Sequence, residues 1–401
     1  MVEAPQQVEI AVVGGGPAGL TAAIALAAAG IETALIAKAP PADNRTTALL
    51  SGSVAALETL DVWPLCREHA APLTAIRLID DTARLIRAPE VMFEAAEIGL
   101  EAFGHNIENR HLVAALDRRA AALPQLQRIA AAVAAVEPDD AGVTIRLADE
   151  RTITARLVVG ADGRKSLCRT AAGIETEHRS YPQAALTLNL GHARPHNGVS
   201  TEFHTEHGPF TLVPLPGLRS SLVCVVDPGE AENLGALDAP ALSAEIERRA
   251  HSILGKISVE QGRGVFPLAI VTARSFARDR IALVGEAAHV IPPIGAQGLN
   301  LGLRDAATIG ELVVEARRDG GDAGTPGLLA EYDRRRRADV TSRAFAVDAL
   351  NRSLLSDFLP VQGARGFGLY LLDRIAPLRR TVMREGVEPA AQPRLMRGEA
   401  L

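Results

Sequence analysis

Three glycine-rich segments carry the residues best suited to hold a cofactor. The first, Gly14-x-Gly16-x-x-Gly19, follows an apolar run and opens an alanine-rich stretch. In such a turn Gly14 allows the tight bend, Gly16 lets the backbone approach a pyrophosphate, and Gly19 lets helix and strand pack closely. The helix that begins there directs free N–H groups and a positive dipole end at the phosphates. This segment, with Ala18 inside it, predicts a dinucleotide site.

One part of the dinucleotide fingerprint is missing. An acidic residue is expected at the end of the second strand, where its carboxylate binds a ribose hydroxyl. The spacing leads to Ala37 and Lys38, and Glu32 stands at the start of that strand instead. The turn therefore fits a dinucleotide site in every feature except this acid.

The second and third segments also follow apolar, strand-like runs. Gly160-Ala161-Asp162-Gly163 is, by itself, more typical of an ordinary strand-to-helix turn, in which Asp-Gly is common. Residues 285–305 are more specific, with Gly285-Glu286 at the start, Pro292-Pro293-Ile294-Gly295 in the middle and Asn300-Leu301-Gly302-Leu303-Arg304-Asp305 at the end.

Together the three segments resemble the FAD-dependent aromatic hydroxylases, the group A flavoprotein monooxygenases. Three stretches, 45–49, 103–110 and 292–305, further resemble the UbiH/UbiF-type hydroxylases of ubiquinone biosynthesis, and the likeness extends over about residues 8–380. It implies that the first turn holds the ADP part of FAD, that the Asp-Gly turn lies near the pyrophosphate, and that Gly285-Glu286 holds the ribitol. Glu286 replaces the family's usual Asp, so the carboxylate stands one methylene further out.

The loop after residue 292 is expected to hold the flavin ring. Pro292 and Pro293 stiffen it, and Gly295 and Gly298 permit a flat ring to lie against backbone. A reduced flavin carries negative charge, so a helix that begins near Gln297 favours reduction.

The expected cofactor-binding residues, from the turns and the resemblance together, are Gly14, Gly16, Ala18, Gly19, Arg45, Asn109, Arg110, Asp162, Gly163, Gly285, Glu286, Pro293, Gly295, Gln297, Gly298, Leu299 and Asn300. For Arg45, Asn109 and Arg110 the alternatives are a solvated arginine and a helix cap. No catalytic side chain is identified. No metal site is expected, because His204-x-x-His207 matches no closed zinc pattern.

The resemblance implies a monooxygenase. Reduced FAD reacts with O2 to form a flavin hydroperoxide, whose distal oxygen is attacked by an electron-rich phenolic ring, while the protein orients the ring and excludes water. The expected substrate is a polyprenylated phenol on the route to ubiquinone, with other quinone-biosynthesis proteins as partners. The reductant is NAD(P)H or a protein electron donor, since no second glycine-rich fingerprint is found. A hydroxylase of a small soluble aromatic and a non-catalytic FAD-containing member of an assembly stay open as alternatives.

Positioning these segments requires an α/β fold. We expect a Rossmann-like FAD-binding domain built from the discontinuous segments 1–75, 100–175 and 275–350, an antiparallel-sheet substrate domain from 76–99 and 176–274, and a C-terminal helical tail over 351–401. The region from the second strand to about residue 125 is interpreted as mixed helical. Strands are predicted at 8–13, 32–37, 143–147, 153–159, 184–190, 209–215, 219–226 and 280–284, and helices at 17–29, 239–254, from 298 and at 327–350.

Composition narrows the function further. The net charge of −6 and an aromatic content of 3% argue against nucleic-acid binding by phosphate contacts or base stacking. Three distant cysteines form no CxxC and favour a reducing compartment. The apolar run at 8–29 is broken by three glycines, so a strand, turn and helix explain it better than a signal peptide or membrane span. The expected location is the cytoplasm.

The tail allows one further hypothesis. Its apolar residues are interspersed with arginines, a pattern suited to peripheral contact with an anionic inner membrane, and equally to covering the FAD domain. They are Leu354, Leu355, Phe358, Leu359, Phe367, Leu369, Leu371 and Leu372, beside Arg352, Arg365, Arg374, Arg379 and Arg380.

Overall fold

The computed structural model describes residues 6–38, 43–83, 87–355, 359–389 and 391–401. The strands are β1 Gln6–Val13, β2 Thr33–Ile36, β3 Thr46–Leu50, β4 Ala70–Pro72, β5 Ala75–Asp80, β6 Val91–Glu94, β7 Gly104–Glu108, β8 Leu126–Ile129, β9 Val133–Pro138, β10 Val143–Leu147, β11 Thr152–Gly160, β12 Thr176–His192, β13 Val199–His204, β14 Pro209–Leu215, β15 Arg219–Val226, β16 Ile257–Val259, β17 Gly264–Ala273, β18 Ala277–Arg278, β19 Ile281–Leu283 and β20 His289–Val290.

The α-helices are α1 Pro17–Ala28, α2 Ser51–Thr59, α3 Asn109–Ala121, α4 Leu167–Ala171, α5 Pro228–Ala236, α6 Ala239–Arg249, α7 Gln297–Arg318, α8 Pro326–Leu355, α9 Leu359–Arg374 and α10 Ala376–Val387. Among the described residues, no helix combines the length and apolarity that crossing a bilayer requires.

A largely parallel sheet forms the first layer, with its central strands in the order β19-β11-β1-β2-β8. All four neighbouring pairs along this path are parallel. The strands consist mainly of buried β-branched and aliphatic residues, as expected for a sheet covered on both faces. Helix α1 connects β1 to β2, so the predicted βαβ opening of the chain is confirmed.

Small residues let helices pass close to this sheet. Nine consecutive residues of α1, Gly19 to Ala27, are buried, and five of them are glycine or alanine. Helix α7 crosses α1 where a Cβ on Gly302 would lie 3.2 Å from the Cβ of Ala18. The third glycine-rich segment is thereby held against the first.

A nine-stranded, mostly antiparallel sheet forms the second layer, in the order β20-β17-β12-β15-β14-β13-β5-β6, with β16 beside β12. Helices α5 and α6 cover one of its faces, where Leu186, Leu222 and Leu242 belong to a single buried cluster. The α/β fold class, with its antiparallel sheet and C-terminal helices, is confirmed. The exact domain bounds stay a prediction.

The mixed helical interpretation of the region before residue 125 holds for α2 and α3 but misses the strands around them. Five strands lie there, β3 to β7, and β3, β7 and β4 make a third, three-stranded sheet. Each has only three to six residues, and β5 pairs in parallel with β13, more than a hundred positions away. Strands this short are stabilised by distant partners, so their local sequence carries little signal.

The three cysteines are free and buried. Burial raises the pKa of the Cys66 thiol, and that of Cys224, to about 11. These thiols therefore belong to the packed interior and not to a reactive site.

Candidate functional site

The carboxyl ends of four parallel strands meet at one edge of the first sheet. Val13 pairs with both Ile36 and Gly160, and Gly160 pairs with Leu283. The next residue of each chain segment continues the ladder: Gly14 N donates to Ile36 O at 2.9 Å, Ala161 N to Val13 O at 2.8 Å, and Val284 N to Gly160 O at 2.9 Å. All three glycine-rich turns therefore start side by side, as ligand sites in such sheets do.

The first turn depends on the absence of side chains at two positions. Gly14 has φ of 117°, and a Cβ there would lie 2.2 Å from the carbonyl oxygen of Ala161 in the second turn. A Cβ on Gly19 would lie 2.1 Å from the carbonyl oxygen of Gly14. Both glycines are thus required for the close packing of strand, turn and helix.

Gly16 differs from these two glycines. A Cβ at this position would meet nothing within 4 Å among the described residues. Gly16 is the N-cap of α1 and makes no side-chain cap, so the first N–H groups of the helix open onto the same space. This open cradle at a helix N-terminus fits a pyrophosphate.

Asp162 holds the second turn together. Its carboxylate accepts hydrogen bonds from Ser166 Oγ at 2.5 Å, Leu167 N at 2.7 Å and Cys168 N at 3.1 Å, at the start of α4. Gly163 follows with φ of 80°. The sequence alone did not reveal that this aspartate caps a helix; its contact with a cofactor stays a prediction.

Ala18 joins the first turn to the third. Its Cβ lies 3.1 Å from where a Cβ on Gly285 would stand, and Gly285 itself has φ of 62°. The next residue, Glu286, is half-exposed and pairs with Arg164 of the second turn at 3.1 Å. The carboxylate that was expected at the ribitol therefore stands between two of the turns and is open to a ligand.

A buried ionic network supports the third turn from below. Asp305 accepts a hydrogen bond from Gly285 N at 2.9 Å, and its carboxylate lies 2.7 Å from His289 Nε2 and 2.6 Å from Arg336 Nε of α8. Burial alone would raise the pKa of Asp305, but His289 and Arg336 hold it below its ordinary value. Tyr332 OH also donates to Leu283 O at 2.7 Å. The network fixes the end of β19 and the turn after it.

The loop at the start of α7 has left-handed backbone at Gly295, with φ of 67°, and at Ala296, with φ of 56°. Gln297 Nε2 donates to Gly295 O at 3.0 Å. A Cβ on Gly298 would meet nothing within 4 Å in the described ranges. The helix N-terminus at Gln297 favours negative charge on any group held there.

Asn300 connects this helix to β3 and α2. Its Oδ1 accepts from Leu50 N at 2.9 Å and Ser53 Oγ at 2.7 Å, and its Nδ2 donates to Ala48 O at 2.8 Å and Ala296 O at 2.6 Å. The side chain is 2% exposed. These four contacts make Asn300 a positioning residue; its contact with the cofactor stays a prediction.

Arg45 and Asn109 meet through Asp43. The Asp43 carboxylate accepts from Arg45 Nε and Nη2, both at 2.9 Å, and from Asn109 Nδ2 at 2.8 Å. Burial alone would raise the pKa of Asp43, but these hydrogen bonds hold it below its ordinary value. Arg45 also lies 5.9 Å from the ring of Phe266 in the second sheet. Arg110 turns instead to Glu108, at 2.9 Å, and its side chain is half-exposed.

His204 and His207 do not converge on a common point. His204 Nε2 lies 2.8 Å from Glu202, and His207 Nδ1 lies 2.9 Å from Asp227. Each histidine therefore has its own carboxylate partner.

Known proteins resemble this chain over nearly its whole length. Residues 7–345 match the FAD binding domain family. The ubiquinone hydroxylase UbiL of Rhodospirillum rubrum is 37% identical over 408 residues, covering 98% of this chain and 93% of that protein. The 3-demethoxyubiquinol 3-hydroxylase of Escherichia coli is 30% identical over 390 residues, covering 94% of this chain and 98% of that protein.

A solved structure shares the fold. The p-nitrophenol 4-monooxygenase PnpA of Pseudomonas putida DLL-E4 matches with a TM-score of 0.78 at 18% identity, covering 96% of this chain and 100% of that chain.

Proposed function

The chain belongs to the FAD-binding hydroxylases of ubiquinone biosynthesis, and from this membership we propose that it uses O2 to hydroxylate the aromatic ring of a polyprenylated phenol. The observation that carries the cofactor half of the proposal is the meeting of three glycine-rich turns at one sheet edge. When bound there, FAD supplies the redox chemistry that activates O2. The protein must bind the cofactor, orient the phenol and exclude water.

We assign the parts of FAD to the first turn, the third turn and the loop that follows the third. Gly14, Gly16 and Gly19 would hold the ADP part, and Glu286 would accept hydrogen bonds from the ribitol. The flavin ring would lie on the loop from Pro293 to Asn300. The open space at Gly16, the half-exposed Glu286 carboxylate and the left-handed backbone at Gly295 all support this assignment.

Glu286→Gln is expected to weaken FAD binding about tenfold and leave stability nearly unchanged. A hydrogen bond to a charged group contributes about 1.5–3 kcal/mol, and partial solvent access favours the lower end. A half-exposed ion pair such as Glu286–Arg164 contributes about 0–1 kcal/mol to folding. The measurement is a fluorescence titration of the FAD-free protein with FAD.

Arg164→Gln is the matched control, because it removes the same ion pair and keeps the carboxylate. Equal losses of FAD affinity in the two variants would show that the ion pair matters and that Glu286 does not contact the ribitol.

The overall function is tested by the colour, turnover and metabolic effect of the protein. Purified protein should be yellow, should oxidise its reduced flavin productively with a polyprenylated phenol, and its loss from cells should accumulate an under-hydroxylated quinone precursor by mass spectrometry. Turnover of small soluble phenols alone would favour a hydroxylase of a small soluble aromatic. A yellow protein that never turns over would favour a non-catalytic role in an assembly, and a colourless protein that takes up no added FAD would refute all three.

The reductant is proposed to be NAD(P)H visiting transiently, or a protein electron donor. The sequence has one glycine-rich fingerprint of the dinucleotide type before a helix, and the proposed FAD site already uses that fingerprint. Anaerobic mixing with NADPH and NADH distinguishes the two sources, since only direct reduction bleaches the flavin.

We further propose that the C-terminal helices contact an anionic bilayer, from which a polyprenylated phenol would be extracted. Leu354 is fully buried, and Leu395 and Met396 belong to the main buried cluster, so part of the tail does pack inward. Further along, however, Phe367 is 61% exposed on α9 and Val382 is 47% exposed on α10, and the side chain of Arg374 between them is 68% exposed. Apolar groups beside arginine suit an anionic membrane surface. Phe358 and the side chains of Leu359 and Arg365 lie outside the described residues.

Phe367→Glu is expected to lower co-sedimentation with vesicles that contain anionic lipid several-fold, because it puts a negative charge on this exposed apolar face. Leu218→Glu is the control: Leu218 is 49% exposed on the hairpin turn between β14 and β15. Equal binding of both variants and the unaltered protein would exclude the membrane contact.

A further inference from the structure

The proposed flavin loop, Pro293 to Asn300, holds an unfavourable backbone conformation. Gly295 and Ala296 are both left-handed, with φ of 67° and 56°. Glycine adopts this conformation freely, but in alanine the Cβ comes too close to the following carbonyl oxygen. Such a conformation persists only where the surrounding structure enforces it. Side chains around the loop must therefore hold it in this shape.

Two amide side chains bind the carbonyl groups of these residues. Asn300 Nδ2 donates to Ala296 O at 2.6 Å, and Gln297 Nε2 donates to Gly295 O at 3.0 Å. Asn300 is buried, whereas Gln297 is half-buried. The Gln297 amide keeps its nitrogen on Gly295 O when a donor holds its oxygen on the opposite side.

Arg343 of α8 supplies that donor. Its Nη1 donates to Gln297 Oε1 at 3.4 Å, and its side chain is 11% exposed. A guanidinium carries donors and no acceptor, so the end of the amide that faces it must be the oxygen. A chain of hydrogen bonds therefore leads from Arg343 through Gln297 to the left-handed backbone at Gly295.

The same guanidinium reaches the last turn of α10. Arg343 Nη2 donates to Glu385 O at 3.2 Å, and α10 ends at Val387. The last four carbonyl groups of a helix lack partners within it, and a cation is favoured at this negative end. Arg343 therefore caps α10, and one side chain joins the C-terminal helices to the proposed flavin loop.

Asp339, one turn earlier on α8, holds Arg343 in place. Its Oδ1 accepts a hydrogen bond from Arg343 Nε at 3.2 Å. Burial alone would raise the pKa of Asp339, but Arg336 and Arg304 hold it below its ordinary value. The ionised carboxylate thus anchors one nitrogen of the guanidinium and leaves the other two for Gln297 and α10.

We propose that Arg343 is a positioning residue for the flavin, which orients the Gln297 amide and ties the flavin loop to α10. This inference rests on the proposed function, because the FAD assignment places the ring on this loop. Arg343 acts through Gln297 and does not itself contact the ring. A shift of α10 is therefore transmitted to the loop, and the position of the ring depends on how the C-terminal helices are seated.

Arg343→Gln tests the proposal in two backgrounds, the unaltered protein and Gln297→Ala. In the first we expect FAD to bind about tenfold more weakly, because a hydrogen bond from a charged group is lost. In the second the same substitution should change FAD affinity less than about twofold, since residues that act as a unit are not additive. The visible circular dichroism of bound FAD should change with Arg343→Gln. Equal losses of affinity in both backgrounds, or no loss in either, would overturn the proposal.

Hydrogen exchange of the FAD-free protein measures the link to α10. Arg343→Gln should speed exchange about tenfold in the last turn of α10 and in the first turn of α7. Gln297→Ala should speed exchange only in α7. Unchanged exchange in α10 with Arg343→Gln would show that Arg343 does not join the loop to the C-terminal helices.

Arg337→Gln is the matched control. Arg337 also pairs with the aspartate four positions earlier on α8, Asp333 at 2.8 Å, but its side chain is 47% exposed. It should leave FAD affinity, dichroism and exchange unchanged. If Arg343→Gln does not fold, Arg343→Lys keeps a positive charge beside Asp339 and should show the same pattern, because one ammonium group lacks the planar fork of a guanidinium.

These measurements separate the proposal from the proposed function. None of them needs turnover, so a protein that binds FAD and hydroxylates no phenol refutes the proposed function alone. The exchange comparison needs no FAD, so it tests the contacts of Arg343 even in a protein that binds none.

Discussion

Replacing Asp305 with asparagine is expected to lower the free energy of unfolding by about 3–5 kcal/mol and to empty the protein of FAD. Removing one partner of a buried ion pair leaves the other charge uncompensated, which destabilises a folded protein by about 3–5 kcal/mol. Asp305 is 0% exposed and Arg336 is 3% exposed. The same substitution weakens the hydrogen bond that Gly285 N donates to Asp305, so the third turn is no longer held in position. Denaturant unfolding and the flavin content of purified protein measure the two effects.

Asp322→Asn provides the control for this variant. Asp322 also pairs with an arginine, Arg280, at 2.8 Å, but its side chain is 31% exposed. A pair with this much solvent access contributes about 0–1 kcal/mol. Equal stability of Asp305→Asn and Asp322→Asn would show that the buried network does not hold the third turn in place.

The stability difference between Asp305→Asn and the unaltered protein should also depend on pH. The pKa of Asp305 is lower in the folded protein than in the unfolded chain, where it is about 3.9. Its contribution is therefore fully present above pH 4 and is lost as the pH falls through the folded pKa. The gap between variant and unaltered protein should narrow in acid, and a gap that widened would contradict this reading of the network.

The parts of this site that were predictable from sequence are those set by local geometry. Gly14, Gly16 and Gly19 lie within six positions of one another; the packing of the turn requires Gly14 and Gly19, and Gly16 leaves open the space at the start of the helix. The resemblance to UbiH/UbiF-type hydroxylases, which depended on such turns, is confirmed by the match to the FAD binding domain family and by the relatives.

The parts that were not predictable depend on contacts between distant positions. The sequence predicts Asn300 only as a cofactor contact, whereas in the structure its amide also holds together β3, α2 and the turn before α7. Arg336 stands in a run of four arginines, residues 334–337, and nothing in that run distinguishes it from its neighbours. Its burial follows from the packing of α8 against α7, where it pairs with Asp305. Burial and partner choice of this kind are properties of the folded chain.

Gly16→Ala is expected to weaken FAD binding by roughly tenfold to 100-fold without unfolding the protein. Its backbone, with φ of −74° and ψ of 171°, suits any residue, and a Cβ there meets no described atom within 4 Å. The stability of the FAD-free protein should change by less than about 1 kcal/mol. An added methyl group would, however, press on a pyrophosphate in the cradle, and overpacking of this kind costs about 1–3 kcal/mol.

Gly14→Ala separates the two causes of lost binding. It forces a Cβ to within 2.2 Å of the Ala161 carbonyl oxygen and places alanine at φ of 117°, so the protein without FAD should itself be destabilised by more than about 1–3 kcal/mol. FAD titration and thermal unfolding of both FAD-free variants make the comparison. Because no described residue occupies the space at Gly16, a loss of affinity there with an intact fold is attributed to contact with the ligand. A Gly16→Ala protein that binds FAD as tightly as the unaltered one would place the pyrophosphate elsewhere.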